Sequence, residues 1–379
     1  MKTCIRFTLL ASALAIGLLG LHNVSGAGNP AAAPPVLYRI QWLGSIGGTD
    51  TYARGMNASG QIVGTSVASG GRAAYLWTPS GGMVALESLV SGWVLFTAED
   101  INEGGQIVGS GFSKTTGQSG GYIYTPGYTG SGGAWVPEHV EIIPPLPGNT
   151  VVSPAQINNH GEVCGESFGS TGGYHEVVYS PSTGTTNLGV TNGSDNLRSG
   201  INDNGRVVGT HIENGKYSTY VWDPVTGLRL YNLIPNSTGY FGSWGTAINN
   251  AGDFVGGCNN PKAKSTGLVP YKYPAGGSVK LLTTLGGKSF GINNNGQTVG
   301  DTYPDAFLHS DAIGFRNLDS LIVSTDPQRS TWLNAMSLHA EDICDAPNGG
   351  FGLICGDATF SDASGSLTAH AYVLIPVAP

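Results

Sequence analysis

Short runs of apolar residues, separated by glycine-rich polar turns, recur along most of the chain. Gln61-Ile62-Val63 and Arg206-Val207-Val208 are typical, because each run follows a turn and contains β-branched side chains. Such runs favour β-strands, since branched side chains pack well on a pleated surface. The pattern therefore predicts an all-β chain built from short strands.

One turn phrase, G-I-N-x-x-G-x-V-V-G, repeats along the chain and is cleanest at Gly200–Gly209. Its turn glycines recur at spacings of 45, 56, 44, 47 and 44 residues: Gly60, Gly105, Gly161, Gly205, Gly252 and Gly296. Each glycine has an asparagine three residues earlier: Asn57, Asn102, Asn158, Asn202, Asn249 and Asn293. A second glycine follows four residues later in every copy. An altered seventh copy places Cys344 at the asparagine position and has five extra residues before Gly356.

The repeated residues have a direct physical interpretation. The asparagine side chain can bond to nearby backbone and so starts a turn, and the first glycine supplies the positive φ that closes the turn. The second glycine lies on the strand that follows, where it allows another part of the chain to approach closely. The phrase therefore specifies architecture and is not itself a binding motif.

Two further apolar segments complete each copy. One is aromatic and alternating, at 73–79, 121–126, 176–181, 219–224, 271–274, 306–310 and 371–376. The other is weaker and is visible at 83–89, 185–189, 228–234 and 279–287. Four short strands per copy, repeated seven times, predict a seven-bladed β-propeller. Because the last copy stops after its third strand, the segment 36–48 is expected to supply the N-terminal strand that closes the last blade. A solenoid is the rival architecture, but no distinct capping repeats are visible.

The chain resembles the HAF family of bacterial extracellular repeat proteins. The resemblance rests on the turn phrase and on aromatic strands such as Ala306-Phe307-Leu308 and His370-Ala371-Tyr372. It also rests on the strand ends before the turn phrase, which end in two glycines at 43–48 in the first copy and 282–287 in the sixth. It runs from about Val36 to Pro379. It implies an extracellular repeat protein and implies no particular activity.

The first residues are typical of a secretory signal peptide. Lys2 and Arg6 precede an apolar stretch from Phe7 to Leu21, and small residues end at Ala27. The stretch is shorter than the ~20 residues of a spanning helix. We therefore expect a signal peptide at 1–27, a short linker at 28–35, and the propeller at 36–379. The mature chain is expected to be exported to the periplasm, the cell surface or the medium, with no membrane span.

The charge balance excludes some partners. The chain has a formal charge of −8, and removal of Lys2 and Arg6 leaves 15 basic against 25 acidic residues, a charge of −10. An acidic exported chain argues against nucleic acid and anionic membranes as partners. No cofactor motif is present, and the oligomeric state stays open.

Four cysteines remain after Ala27. Cys344 and Cys355 fall on strands that flank one hairpin, so a local disulfide between them is a candidate in an oxidising compartment. Cys164 and Cys258 belong to different copies and are expected to be buried thiols. No Cys/His spacing suggests zinc, and no oxygen-rich loop has the pattern of a calcium motif.

Paired carboxylates offer one possible enzyme site. Glu99-Asp100 and Glu341-Asp342 both occur in an AEDI sequence directly before the turn strand. A polysaccharide-active hydrolase or lyase would need two such groups to converge on one bond. Their recurrence at one repeat offset instead favours a structural role, so no catalytic residue is assigned.

The loops that do not repeat carry the candidate ligand-binding residues. They contain aromatic and basic side chains among small polar residues: Trp93, Tyr240, Trp244, Trp332, Lys114 and Lys262. Aromatic rings can stack on sugars, and lysines can meet an acidic glycan. The sequence thus favours a secreted, non-catalytic binding module for a carbohydrate or other surface macromolecule. The alternatives are the secreted enzyme above and a purely structural envelope or matrix protein; packing between blades is the competing role for each aromatic residue.

Overall fold

Antiparallel sheets of four or five short strands follow one another along the chain. In the computed structural model, the described residues are 36–377 apart from 69, 130–134, 170–172, 191–197, 232, 234–241, 260–266 and 347–349. The candidate residues Tyr240 and Lys262 and the expected signal peptide lie outside this part of the chain. From Val36 onward the chain forms one compact unit.

Each sheet is one blade of a seven-bladed β-propeller, as the repeat predicts. Strand β1 is Leu37–Trp42. Blade 1 contains β2 (Gly48–Met56), β3 (Ile62–Ala68), β4 (Gly71–Thr78) and β5 (Gly82–Ala85). Blade 2 contains β6 (Trp93–Leu95), β7 (Asp100–Ile101), β8 (Ile107–Ser113), β9 (Ser119–Thr125) and, beyond a hairpin of β10 (Tyr128–Thr129) and β11 (Trp135–Val136), β12 (His139–Ile142). Blade 3 contains β13 (Val151–Ile157), β14 (Val163–Phe168), β15 (His175–Ser180) and β16 (Gly184–Asn187).

The remaining blades have the same order. Blade 4 contains β17 (Gly200–Ile201), β18 (Val207–Glu213), β19 (Lys216–Asp223) and β20 (Gly227–Tyr231). Blade 5 contains β21 (Ser243–Ile248), β22 (Phe254–Asn259), β23 (Leu268–Tyr273) and β24 (Lys280–Leu281). Blade 6 contains β25 (Lys288–Ile292), β26 (Thr298–Thr302), β27 (Asp305–Ser310) and β28 (Gly314–Asn317). Blade 7 contains β29 (Ser337–Ile343), β30 (Ile354–Ser361) and β31 (Leu367–Val377).

Among the described residues, helical structure occurs in short segments between blades. These are two 3₁₀ turns, Leu86–Ser88 and Leu318–Leu321, and one helix, α1 (Arg329–Leu333). Within the described ranges, no helix is long and apolar enough to cross a membrane.

The first strands of the blades pack against one another around a central channel. The Asn-x-x-Gly turns lie at one end of these strands, which we call the turn face. The loops that enter the first strands lie at the other end, which we call the loop face. Apolar clusters fill the space between neighbouring blades; Val63 and Ala74 of blade 1, for example, pack with Ile107 and Tyr122 of blade 2.

The N-terminal strand closes the ring, as predicted. β1 pairs antiparallel with β31 from Leu37↔Val377 to Trp42↔Tyr372, so it becomes the outermost strand of blade 7. Tyr38 is fully buried, and its hydroxyl donates a 3.2 Å hydrogen bond to the Gly352 carbonyl. Because β1 leads directly into β2, the segment that completes blade 7 is continuous with blade 1.

The turn asparagines link the blades, which the sequence pattern alone did not reveal. In six copies the Nδ2 donates to the backbone carbonyl of the asparagine position in the next blade, over 2.9–3.1 Å. The Oδ1 of the same side chain accepts the N–H four residues later, also over 2.9–3.1 Å. Because these asparagines are at most 4% exposed, each of their hydrogen bonds is formed away from water.

The seventh copy breaks this series. The Cys344 carbonyl accepts from Asn293 at 3.0 Å, but a thiol cannot provide the amide that would reach Asn57. The junction between blades 7 and 1 uses other contacts instead. The Asp342 Oδ2 accepts the Met56 N–H at 3.1 Å, and Glu341 forms an ion pair with Arg54 at 2.8 Å.

The second glycine of the phrase lies opposite an aromatic side chain in six of the blades. Gly109, for example, pairs with Tyr122, whose hydroxyl donates to the Thr97 carbonyl at 2.8 Å. A Cβ on Gly109 would overlap that carbonyl and lie 2.8 Å from the Tyr122 hydroxyl. The expected close approach is therefore confirmed: the nearest atom is the Thr97 carbonyl oxygen, and the tyrosine that crosses the second strand bonds to the same oxygen.

The predicted Cys344–Cys355 disulfide is absent, since all four described cysteines are free and buried. Cys355 pairs with Asp342, whereas the Cys344 N–H bonds to the Leu353 carbonyl, so the two cysteines are diagonal neighbours. Diagonal Cβ atoms stand roughly 7 Å apart, against about 4 Å in a disulfide. Burial raises the pKa of Cys344 to about 12, and it does the same for Cys164 and Cys258.

Replacing one turn asparagine should destabilise the whole ring. We expect Asn158→Ala to lower the free energy of unfolding by about 2–3 kcal/mol, because it removes several buried hydrogen bonds and leaves their partners unpaired. Asn295→Ala, in the exposed part of an equivalent turn, is the matched control and should change it by less than about 0.5 kcal/mol. Denaturant unfolding measures both, and equal effects would contradict the inter-blade role.

The crossing tyrosine gives a second test within one blade. Gly109→Ala should cost about 3 kcal/mol or more, since its methyl group meets backbone atoms that cannot move independently. Gly120→Ala is the control, because a Cβ there would lie 3.5 Å from Ile142, an ordinary contact. Thermal unfolding of the two variants should separate them clearly; a Gly109→Ala protein as stable as the control would disprove the steric argument.

Candidate ligand site at the channel mouth

One repeat position points into the central channel in all seven blades. It is the residue three before the turn asparagine, or before Cys344: Arg54, Glu99, Ala155, Ser199, Thr246, Phe290 and Glu341. In five blades a register shift in the first strand leaves this residue without a partner across the sheet. A bulge of this kind bends the strand and re-aims the side chain. In these five blades the bulge turns the side chain toward the axis, and Glu99 of blade 2 and Ser199 of blade 4 line the same cavity.

These seven residues line one cavity of about 240 Å³ at the loop face, which we call the channel mouth. Arg198, Gln156 and Glu166 also line the channel mouth. The repeat fixes the position of each side chain but not its chemistry. Arginine, glutamate, alanine, serine, threonine and phenylalanine all occur at this one offset, next to asparagine and glycine positions that hardly vary.

A carboxylate flanked by two guanidinium groups dominates the electrostatics of the channel mouth. Glu341 Oε1 lies 2.8 Å from Arg54 Nη1, and its Oε2 lies 2.5 Å from Arg198 Nη1. Burial raises the pKa of Glu341, but Arg198 and Arg54 outweigh that effect and hold it below the ordinary value. Glu341 is therefore a fixed anion that orients both arginines.

An aromatic ring shares the same wall. The guanidinium carbon of Arg198 lies 5.1 Å from the centroid of the Phe290 ring. Phe290 is half-buried, so part of the ring stays accessible from the channel. The channel mouth thus combines hydrogen-bond donors, carboxylate acceptors and one apolar face.

The candidate tryptophans have three different environments. Trp332 is fully buried, and its Nε1 donates to Asp319 Oδ1 at 2.6 Å, so its prediction as a ligand-binding residue is wrong. It lies on α1 and fills the core beside blade 7, in contact with Tyr372. Trp332 follows a run of polar residues, 328–331, which gave no sign of the helix that buries it.

Trp244 and Trp93 are half-buried at the loop face. Lys288 Nζ lies 4.0 Å from the centroid of the Trp244 ring, and Tyr217 packs edge-on at 5.6 Å, so much of that ring is already covered. Trp93 pairs with Ser113, directly before the exposed Lys114. Neither tryptophan lines the channel mouth, and their part in binding stays a prediction.

The carboxylates proposed for an enzyme are engaged with backbone. Asp100 Oδ2 accepts the Ile157 N–H of blade 3 at 2.9 Å, and Asp342 Oδ2 accepts the Met56 N–H of blade 1. The other oxygen of each carboxylate accepts the N–H of the next residue. Burial raises the pKa of both, to about 6 for Asp342. These aspartates therefore join neighbouring blades through hydrogen bonds, which is the structural role that their common repeat offset suggested.

The opposite end of the channel is lined by residues that hold blades together. In blades 2 to 7, the residue after the turn asparagine or after Cys344 accepts a backbone N–H from the preceding blade: Glu103, Asn159, Asp203, Asn250, Asn294 and Asp345. Within the described ranges, no group of His, Cys, Asp and Glu residues could hold a metal ion.

Comparisons with known proteins support the fold alone. No family model and no curated protein sequence matches the chain. It is similar to the β-propeller domain of the trilobed protease from Pyrococcus furiosus, with a TM-score of 0.50 and 8% identity over 90% of this chain and 94% of that one.

Two further solved structures are more distant matches. TolB from Acinetobacter baumannii has a TM-score of 0.39 and 15% identity to this chain. The match covers 68% of this chain and 60% of the TolB chain. A gluconolactonase from Xanthomonas campestris has a TM-score of 0.39 and 10% identity over 91% of this chain and 98% of its own.

Proposed function

We propose that the protein is an exported, non-catalytic binding module that takes a sugar of a carbohydrate, or of another surface macromolecule, into the channel mouth. One observation carries the proposal: the repeat position that lines the channel mouth in all seven blades carries residues of different chemistry, including arginine, glutamate, serine, threonine and phenylalanine. The turn asparagine, in contrast, is the same residue in six blades. The resemblance to extracellular HAF repeats and the signal-like first residues support export.

The mixture of side chains favours a polyhydroxylated ligand. Arg54 and Arg198 can donate several hydrogen bonds each, while Glu99 can only accept them. Sugar hydroxyls do both, and the apolar face of a sugar ring can pack on an aromatic ring such as Phe290. The lining contains two arginines and three glutamates, a formal charge of −1, so it favours an uncharged sugar over an anionic one. The charged residues are Arg54, Arg198, Glu99, Glu166 and Glu341.

The size of the channel mouth limits the ligand. Its volume of about 240 Å³ lies below the ~300–1,000 Å³ of pockets for drug-sized molecules. One sugar ring, such as the end of a chain or a branch, therefore suits it better than an extended polysaccharide.

A non-catalytic role agrees with the state of the carboxylates. A glycosidase requires a carboxylic acid with a raised pKa beside a second carboxylate. Glu341, in contrast, has a lowered pKa and two arginine partners. The presence of Glu99 in the same cavity keeps a hydrolase or lyase as the second candidate, because two carboxylates then face one space.

Glycan-array binding by the mature chain tests the proposal. Arg198→Ala is the best variant, because the arginine is 41% exposed and Glu341 keeps its contact with Arg54. We expect it to weaken binding by about 10- to 100-fold, the loss of about 1.5–3 kcal/mol for a charged hydrogen bond. Phe290→Ala should also weaken binding, by removing the stacking face.

Arg72→Ala is the matched control, since Arg72 is an exposed arginine outside the channel mouth. It should bind like the unchanged protein. Failure of the mature chain to bind any glycan, or equal losses for Arg72→Ala and Arg198→Ala, would overturn the proposal. Cleavage of a bound glycan would instead establish the enzyme.

A further inference from the structure

A second cavity, of about 210 Å³, lies between blades 4 and 5 on the turn face, and we call it the groove. It is separate from the channel mouth, which opens at the other face. Two guanidinium groups and one tyrosine line it, those of Arg206, Arg229 and Tyr231, together with Asp223 and the turn glycine Gly252. In a chain with a formal charge of −8, two arginines at one small cavity are a notable local concentration of positive charge.

Arg206 departs from the repeat at an architectural position. The residue four after the turn asparagine is otherwise an amide or an acid: Gln61, Gln106, Glu162, Asp253 and Gln297. In four copies its side-chain oxygen accepts a bond of 2.7–2.9 Å from the asparagine Nδ2. Arginine has no acceptor, so Asn202 loses this bond in blade 4. The substitution removes an architectural contact and adds a cation.

The Arg206 guanidinium is held in a fixed position. Its Nε donates to Asp223 Oδ2 at 2.6 Å, while Asp223 Oδ1 accepts the N–H groups of Val225 and Thr226. A Cβ on Gly252 would lie 3.2 Å from Arg206 Nη1, so the guanidinium passes directly over that glycine. Because only Nε is used by Asp223, the terminal nitrogens remain available to a ligand in the cavity.

Arg229 supplies a second, uncompensated charge. Its guanidinium carbon lies 4.7 Å from the centroid of the Tyr231 ring, and it forms no ion pair with any residue that the structure describes. The nearby Lys272 and Asp253 pair with each other at 3.2 Å. Asp223 neutralises the charge of Arg206, so Arg229 leaves the groove with one net positive charge. Both guanidinium groups offer N–H donors to a ligand.

We propose that this groove between blades 4 and 5 binds an oxyanion, namely a carboxylate, a sulfate or a phosphate group. Guanidinium groups match the planar or tetrahedral oxygens of such anions with paired hydrogen bonds, and they are less strongly hydrated than lysine. The proposal does not depend on the ligand of the channel mouth. It assigns the turn face a binding role that the repeat alone does not suggest.

Titration of the mature chain with inorganic sulfate, inorganic phosphate and glucuronate, followed by NMR, tests the proposal. At least one anion should bind saturably, with shifts centred on Arg206, Arg229 and Gly252. The three arms identify which oxyanion is preferred. Absence of saturable binding by all three would overturn the proposal.

Arg206→Gln is the decisive variant, because it restores the residue that the repeat uses elsewhere. It should bind the preferred anion at least tenfold more weakly, yet melt at or above the temperature of the unchanged protein, since Asn202 regains an acceptor. Arg229→Ala should weaken binding similarly. Arg316→Ala, an exposed arginine at the equivalent position of blade 6, is the control and should bind normally. Undiminished binding by Arg206→Gln, or an equal loss in the control, would contradict the site.

Discussion

The side-chain amide of one buried asparagine, repeated in six blades, connects each blade to the next. Its Oδ1 shapes the turn in its own blade, and its Nδ2 reaches the backbone of the following blade. Turn geometry and inter-blade geometry are therefore fixed by the same side chain. A buried amide that satisfies several backbone groups is costly to replace, because each abandoned partner loses its hydrogen bond away from water.

The ring depends on a different solution where this series ends. Cys344 cannot continue it, so the junction of blades 7 and 1 relies on β1, on the Asp342 contact with Met56 and on the Arg54–Glu341 ion pair. That ion pair also forms part of the channel mouth. The chemistry proposed for binding is thus concentrated at the junction where the repeated bond is missing, and ligand contacts there would act on the closure of the ring.

The chain's repetition made the fold predictable in detail. The spacing of Asn57, Asn102 and their counterparts gave the number of blades, and the truncated last copy gave the closing strand. The inter-blade bond could not be foreseen, because a turn asparagine has the same local signature whether or not its amide reaches a neighbour. Cys355 lies on a strand as predicted, but Cys344 lies one residue beyond the end of β29, and register decides whether two such positions bring their sulfur atoms together.

The candidate site was harder to predict for a related reason. Trp332 is a conspicuous aromatic residue outside the repeated phrase, whereas the channel mouth is lined by Arg54, Phe290 and Glu341, each directly before the phrase. The sequence signal was variation at this offset beside an asparagine and a glycine that hardly vary. The sequence does not show that this offset faces the channel, because the bulge that turns the residue toward the axis in five blades has no clear signature in a single sequence.

Seven blades form one closed ring, so the chain should unfold as a unit. Scanning calorimetry of a mature chain that lacks residues 36–42 tests this most directly, because it removes β1 and leaves the other blade strands intact. The account predicts that the single sharp transition of the full chain is lost and replaced by a broad transition at lower temperature. A sharp transition at the same temperature as in the full chain would contradict it.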